Sequence, residues 1–173
     1  MESPINFLTL NVGMNASLAG LSTLIVAHSL DIIFLQEVRI TSEQIDLLIG
    51  NMGYQAIANI DLENPTKPGT AIVWKKSIPV TDICTLVPCR AQVATLGKYK
   101  LLNLYAPSGS DKKHQRNVFF GQDVFTALGL HHERSWVLGG DFNCVLKPLD
   151  IGGGVGFSQK NCPALGDLVG TTR

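Results

Sequence analysis

The chain has 173 residues, of which 45% are hydrophobic and 16% charged, a globular composition that excludes a disordered tail. Fourteen Lys and Arg balance 14 Asp and Glu. A net charge of zero gives no bulk pull toward nucleic acid or an anionic membrane, so any recognition of phosphate has to come from a local site.

Ile5 to Leu10 is a short apolar run closing on Asn11 and Gly13, which predicts a buried strand ending in a loop. Leu18, Leu21 and Ile25 follow at helical spacing, with Asn15 or Ser17 as a cap. Asp31 to Gln36 predicts a second strand, again ending in polar residues, Gln36 and Glu37. Thr41-x-x-Gln44 resembles a capping box, and Ile45, Leu48, Ile49 and Met52 form one apolar helical face. This strand–helix–strand–helix order argues for a layered α/β architecture. Pro65, Pro68 and Gly69 mark a loop. Beyond it, Thr70–Lys75, Val80–Leu86, Ala91–Leu96 and Lys100–Tyr105 predict strands punctuated by Pro, Gly and Lys.

Asp111 to Leu130 predicts a helix with Phe120, Val124, Phe125 and Leu128 facing inward, and His131-His132 suits its negative dipole end. Ser135 to Gly139 predicts another buried strand, closing on Gly140-Asp141-Phe142-Asn143. The run Ile151-Gly-Gly-Gly-Val-Gly156 is read as a flexible connection, because no strand leads into it and no Lys-Ser/Thr follows as in a phosphate loop. Ala164 to Val169 starts a helix. No repeat, low-complexity tract or linker divides the chain, so residues 1–173 are read as one domain.

Cys84, Cys89, Cys144 and Cys162 contain no Cys-x-x-Cys and stand at no metal-finger spacing from His28, His114, His131 or His132. They are expected as reduced thiols in an apolar interior. Together with an acidic rather than basic start, Met-Glu-Ser-Pro, this argues for an intracellular chain that is not secreted. The most apolar stretch, Leu18 to Leu35, is interrupted by His28, Ser29 and Asp31, so no membrane partner is expected.

The strands end repeatedly on one kind of chemistry: Asn11, Gln36-Glu37, Tyr105 and Asp141-x-Asn143. In layered α/β proteins such ends gather at one edge and can converge on one pocket. Carboxylates, carboxamides and a phenol make a hard-oxygen set that suits Mg²⁺, and suits neither zinc nor a cysteine nucleophile. Singly, each also has a plain reading. Asp141 and Asn143 fit an Asx turn and Tyr105 fits a strand aromatic, so the weight lies in their recurrence. Lys98, Lys100, Lys112, Lys113 and Arg116 cluster around the Tyr105 loop, as a solvated face or as contacts to a nucleic-acid backbone.

Leu8-Thr-Leu-Asn11-Val-Gly13, Asp31-Ile-Ile-Phe-Leu-Gln36-Glu37, Gly69-Thr-Ala-Ile-Val73, Leu104-Tyr105-Ala-Pro107 and Gly139-Gly-Asp141-Phe-Asn143 resemble, in order, the motifs of the endonuclease/exonuclease/phosphatase superfamily. Within it the chain is most similar to the endonuclease domains of non-LTR (LINE-type) retrotransposons, relatives of the exonuclease-III-type apurinic endonucleases. It departs from the pattern at Val12, where the first motif often carries a second Asn, and at Ser108, where an Asn is usual.

The resemblance implies a DNase-I-like α/β sandwich of two mixed β-sheets flanked by helices. It also implies Mg²⁺-dependent hydrolysis of DNA phosphodiesters, with Mn²⁺ as a substitute cation. Glu37 would be the principal metal ligand, and Asn11 would orient the metal or the phosphate. Tyr105 would donate its hydroxyl, Asp141 would position or activate the attacking water, and Asn143 would hold a phosphate oxygen. The partners implied are the DNA phosphate backbone and the rest of a retroelement polyprotein, and the address implied is nuclear.

The superfamily's later Asp-bearing strand motif and its Asp-His general base do not occur in these residues. The sequence therefore reads as a C-terminally truncated domain whose last strands are missing. The alternatives to a DNA nuclease are an inactive remnant without the general base and a phosphoesterase acting on a small phosphoester.

Overall fold

The computed structural model describes residues 4–13, 19–129, 135–150 and 160–171. Its strands are β1 (Phe7–Asn11), β2 (Ile32–Val38), β3 (Tyr54–Asn59), β4 (Gly69–Lys75), β5 (Val80–Val87), β6 (Ala91–Leu96), β7 (Tyr99–Tyr105) and β8 (Ser135–Asp141). The helices are α1 (Ala19–His28), α2 (Ser42–Ile49), α3 (Lys113–Val118), α4 (Phe125–Gly129) and α5 (Pro163–Thr171), with a π-wound turn, Phe119–Val124, joining α3 to α4. Among the described residues no helix is long and apolar enough to cross a membrane. Described residues up to Tyr105, with Val137–Asp141, form one compact unit, and those of Ala106–Trp136 and from Phe142 onward form another.

The first unit holds two four-stranded sheets, ordered β1-β2-β4-β3 and β5-β6-β7-β8. β1 runs parallel to β2, whereas β4 is antiparallel to both β2 and β3. Ile32, Phe34, Ile72 and Trp74 of the first sheet pack against Ala94, Leu96 and Leu101 of the second. The alternate residues Ile33, Leu35, Ala71 and Val73 face outward, against Leu21 and Ile25 of α1 and Ile45 and Ile49 of α2. Buried on both faces, β2 and β4 read as continuous apolar runs, and each such side chain contributes about 1.5–3 kcal/mol. The expected α/β sandwich is what these residues build.

Polar side chains tie the two sheets together. Gln36 on β2 donates from Nε2 to Oδ1 of Asn103 on β7, at 2.8 Å. Asn103 in turn donates from Nδ2 to the carbonyls of Leu35, at 3.1 Å, and Ala71, at 2.8 Å. Both side chains are buried. Asn59 does the same at the end of β3, donating to Val87 O at 3.0 Å and accepting from Cys89 N at 2.9 Å. Such groups are tolerated inside a sandwich only when their partners are present, so each pair selects one register. At the opposite end of β2, the Asp31 carboxylate accepts from Asn6 N and from Lys75 Nζ, at 2.8 and 2.7 Å, and joins β1, β2 and β4.

Several expectations are corrected. β1 is an edge strand with Phe7 and Thr9 exposed, not a buried one, because it pairs only with β2. β8, at an edge of the second sheet, is only half-buried. β3 is not among the expected strands. It forms because β4 pairs along it and α2 supplies side-chain partners, Asp46 Oδ1 to Ala56 N and Ser42 Oγ to Ala58 N. The capping box is present, with Thr41 Oγ1 accepting from Gln44 N and Gln44 Oε1 accepting from Thr41 N. The face of α2 is narrower than read, since Leu48 is exposed while Ile45 and Ile49 are fully buried.

In the second unit the helix begins at a short turn, Ser110–Lys112, before α3. Its π turn carries one more residue per turn than an α-helix and so moves the apolar stripe. Phe119 and Ala127 join Phe120, Val124 and Leu128 inside, and Phe125 turns out to solvent. Phe120 stacks on Phe142 at 6.0 Å, and Gly121 faces Ala164 of α5. The expected Ala164–Val169 helix is α5, and Cys162, Leu165 and Leu168 are buried there. The four cysteines are free thiols, with Cys84 exposed rather than interior. His131-His132, the glycine run 151–156 and the Asn15 or Ser17 cap lie outside the described residues.

Asn103→Leu removes the 2.8 Å acceptor of Gln36 Nε2 and the donor to Leu35 O and Ala71 O, and is expected to cost about 1–3 kcal/mol in a urea titration. Asp31 provides a pH test. Burial pushes its carboxyl up, but the Asn6 N–H and the Lys75 ammonium outweigh it and hold the carboxyl below the ordinary aspartate range. Its contribution is therefore complete above the unfolded value, roughly 3.9, and is lost as pH falls through the lowered folded value. Asp31→Asn should lower stability by about 1–2 kcal/mol at neutral pH and flatten the acid limb of the stability curve.

Candidate active site

Asn11 is the last residue of β1, Glu37 lies near the end of β2, Tyr105 is the last of β7 and Asp141 the last of β8. All four belong to the first unit, and side-chain hydrogen bonds join them. Asn11 donates from one nitrogen, Nδ2, to Glu37 Oε1 at 3.0 Å and to Asp141 Oδ2 at 2.8 Å. Its Oδ1 accepts from Gly13 N at 2.9 Å, which fixes the direction of the amide. The Tyr105 hydroxyl donates to Glu37 Oε1 at 3.4 Å.

The backbone explains why these side chains meet. Between Gln36 and Val38 the β2–β4 register slips by one residue, and Glu37 occupies the bulge at φ +59. A bulge re-aims one side chain, and a left-handed conformation at a residue other than Gly costs of order 1–3 kcal/mol, so the site holds Glu37 against a local preference. Gln36 turns inward to Asn103 and does not join the strand-end cluster expected of it. On β8, a Cβ at Gly140 (φ +148) would fall 2.0 Å from Leu104 O, and one at Gly139 would fall 2.7 Å from a ring carbon of Phe34. The Gly-Gly pair therefore lets β8 lie this close to β7 and β2, and so sets where Asp141 stands.

Asn11 is exposed, Glu37 and Asp141 are half-exposed, and Tyr105 is buried. The cluster thus runs from an exposed amide at the end of β1 to a buried phenol at the end of β7. Two carboxylates converge on one carboxamide nitrogen, and Glu37 makes no ion pair among the described residues. Such a set fits a hard divalent cation, which takes one or two carboxylates and keeps its other positions for water and phosphate. Among the described residues no group of three or more His, Cys, Asp or Glu is gathered, so the oxygens of this set are those of two carboxylates and a phenol, with the Asn11 amide presenting its nitrogen to them.

Asn143 belongs to the second unit. There it sits at φ +49 and donates from Nδ2 to Ala106 O, the carbonyl that follows β7, at 2.9 Å. The basic cluster expected near Tyr105 is spoken for locally. Arg116 is buried and donates to Pro107 O and Gly109 O, at 3.1 and 2.6 Å, so it is a strut of the loop rather than a surface cation. Lys113 donates to Asn161 at 2.6 Å, Lys112 pairs with Asp111 and Lys100 with Thr95, and Lys98 lies over the Tyr99 ring.

Two arginines that the sequence did not single out stand beside the site instead. Arg90 lies 4.6 Å over the Tyr105 ring and also donates to its carbonyl. Arg39 donates to Thr66 O, at 3.0 Å, and to Glu37 O, at 3.4 Å, tying the bulge to the loop before β4. No motif marks either one, and only the folded geometry finds them.

The family model described as Endonuclease/Exonuclease/phosphatase family matches residues 8–158. No curated protein is significantly similar to the chain in sequence. Among solved structures it resembles an AP endonuclease from Archaeoglobus fulgidus, with a TM-score of 0.72 at 16% identity, covering 87% of this chain and 62% of that one. It resembles the AP endonuclease LMAP from Leishmania major, with a TM-score of 0.72 at 15% identity and coverages of 97% and 66%. It also resembles the 3′ phosphatase NExo from Neisseria bound to product DNA hairpin, with a TM-score of 0.69 at 21% identity and coverages of 84% and 60%. At these identities the likeness is one of fold, and the chain spans less than two thirds of the length of these three proteins.

If Glu37 is held at φ +59 for its carboxylate alone, then Glu37→Gly relieves the backbone and should leave stability unchanged or raise it by up to about 1 kcal/mol in denaturant titration. A loss above about 2 kcal/mol would show instead that the Asn11 and Tyr105 hydrogen bonds carry the fold.

Proposed function

The chain belongs to the Endonuclease/Exonuclease/phosphatase family, and from that premise we propose that it hydrolyses phosphodiester bonds of DNA with the help of a divalent cation, Mg²⁺ or in its place Mn²⁺. The observation that supports this most is the convergence of Glu37 and Asp141 on the single Asn11 amide, with the Tyr105 hydroxyl on the same Glu37 oxygen. Glu37 would hold the cation, helped by Asn11. When bound, such a cation supplies Lewis-acid polarisation of a phosphoryl oxygen and neutralises charge between the carboxylates.

The rest is the work of the chain's own groups. The Tyr105 hydroxyl, its ring held from beneath by Arg90, donates to a phosphoryl oxygen as negative charge builds there. Asp141 accepts a hydrogen bond from the attacking water and orients it, while Asn11 keeps the two carboxylates apart. The NExo structure bound to a DNA hairpin supports DNA over a small soluble phosphoester. The resemblance to the endonuclease domains of LINE-type retrotransposons implies a retroelement origin, with the remainder of the polyprotein as the natural context.

A second reading has its own observation behind it: no Asp-His pair occurs in these residues, and a general base is worth about 10²–10⁴ in rate. On that reading the chain binds cation and phosphate but turns over slowly.

One assay separates these readings. Supercoiled plasmid, a duplex with an abasic site and a soluble phosphomonoester are each incubated with the chain and with Mg²⁺, Mn²⁺ or a chelator. Cation-dependent cutting of DNA, lost at least about 100-fold in Glu37→Gln and in Asp141→Asn with the melting transition intact, is the expected result. Cutting that survives both substitutions would overturn the proposal, and cation binding without cutting would favour the second reading.

A further inference from the structure

The hairpin between β5 and β6 closes on Val87-Pro88-Cys89-Arg90, with Arg90 N donating to Val87 O at 3.0 Å. Pro88 in second place and Cys89 at φ +61 in third fit a type II turn, whose third residue is ordinarily Gly or Asn. Asn59, the last residue of β3, braces this turn from the other sheet. Its Oδ1 accepts from Cys89 N at 2.9 Å, and its Nδ2 donates to Val87 O at 3.0 Å and to Ala91 O at 3.3 Å. A left-handed residue other than Gly persists where its surroundings over-determine it, and the three bonds from one buried amide do so here.

The turn ends on Arg90, which takes hold of Tyr105 in three ways. Its carbonyl accepts from Tyr105 N at 2.7 Å. Its Nη1 donates to Tyr105 O at 3.4 Å, and its guanidinium carbon lies 4.6 Å over the centre of the ring. A cation this close to a ring face is attracted to it, so the guanidinium resists tilting and sliding of the ring. We propose that Arg90, set by the Asn59-braced turn, is a positioning residue that aims the Tyr105 hydroxyl at the Glu37 carboxylate.

The contact that Arg90 serves is the longest bond of the cluster. Tyr105 Oη stands 3.4 Å from Glu37 Oε1, whereas Asn11 holds the same oxygen at 3.0 Å. A bond of that length is lost on a small rotation of the ring, because hydrogen bonds weaken steeply with distance and angle. With the ends of β2 and β7 fixed, the side-chain torsions of Tyr105 are what remains to be set, and Arg90 sets them. The catalytic consequence rests on the proposed phosphodiesterase reading; the coupling of Arg90, Tyr105 and Glu37 does not. On that reading, a misplaced donor slows the chemical step and leaves substrate binding little changed.

The test uses the whole chain with its tyrosines, Tyr54, Tyr99 and Tyr105, labelled with ¹³C at Cζ, and Tyr105→Phe identifies the Tyr105 signal. Glu37→Gln is expected to move that signal in the wild-type background. The response should fall by more than about half in Arg90→Met and in Arg90→Gln, either of which serves if the other does not fold. Asn59→Ala, which frees the turn, should reduce it too. In the DNA-cutting assay Arg90→Met should lower kcat about 10- to 100-fold with KM within about threefold, and cost nothing further in Tyr105→Phe. A response of full size in both Arg90 variants, no response in the wild-type background, or a kcat loss that persists in Tyr105→Phe would overturn the proposal. A response untouched by Asn59→Ala would overturn the part given to the turn. If the wild-type chain cuts no DNA with either cation, the proposed function fails, and the ¹³C response alone decides the role of Arg90.

Discussion

A buried carboxamide pair, Gln36 with Asn103, is the constraint on which the rest of the first unit depends. Asn103 belongs to the second sheet, yet its amide protons go to the carbonyls of Leu35 and Ala71 in the first. A slip between the sheets takes the Asn103 amide away from Gln36, Leu35 O and Ala71 O, and a buried amide left unsatisfied costs about 1–3 kcal/mol, so one register is favoured. Gln36 precedes Glu37, and Asn103 lies two residues before Tyr105 on the same strand. The interaction that fixes the sheets therefore also fixes the pair of strand ends at which the Tyr105 hydroxyl reaches Glu37.

The site repeats this logic at smaller scale. Positions that look expendable are held by backbone geometry: Glu37 in a left-handed bulge, and Gly139 and Gly140 where a side chain would strike Phe34 or Leu104. Two carboxylates facing one amide are unfavourable neighbours on their own. On the proposed function they are a resource, because a hard divalent cation takes one or two carboxylates as ligands.

How much of this is legible in the sequence follows from where the signal lives. β4 to β7 are plain because β-branched and aromatic runs are punctuated by Pro and Gly, and the capping box at Thr41 is local. β3 is hidden, since Tyr54–Asn59 has little intrinsic strand preference and is made by its pairing with β4 and its hydrogen bonds to α2. β1 looks buried because its apolar residues cluster, but pairing on one side only leaves Phe7 exposed. The candidate site residues are readable as strand-end polar groups. Their mutual hydrogen bonds are not, because the separations along the chain run to 130 residues, from Asn11 to Asp141. Arg116 shows the converse, since a basic residue in a polar stretch looks like surface until its loop carbonyls close over it. Arg90 and Arg39 carry no local signature, and only tertiary contact sets them beside Tyr105 and Glu37.

The central claim is that Glu37 and Asp141, held on the Asn11 amide, form one hard-cation site. Mn²⁺ binding to the whole chain, followed by electron paramagnetic resonance as the free-ion signal disappears, tests it without reference to catalysis. The account predicts one site that Mg²⁺ displaces and that weakens at least tenfold in both Glu37→Gln and Asp141→Asn. Mn²⁺ binding that is unchanged in both variants, or absent from the folded wild-type chain, would contradict it.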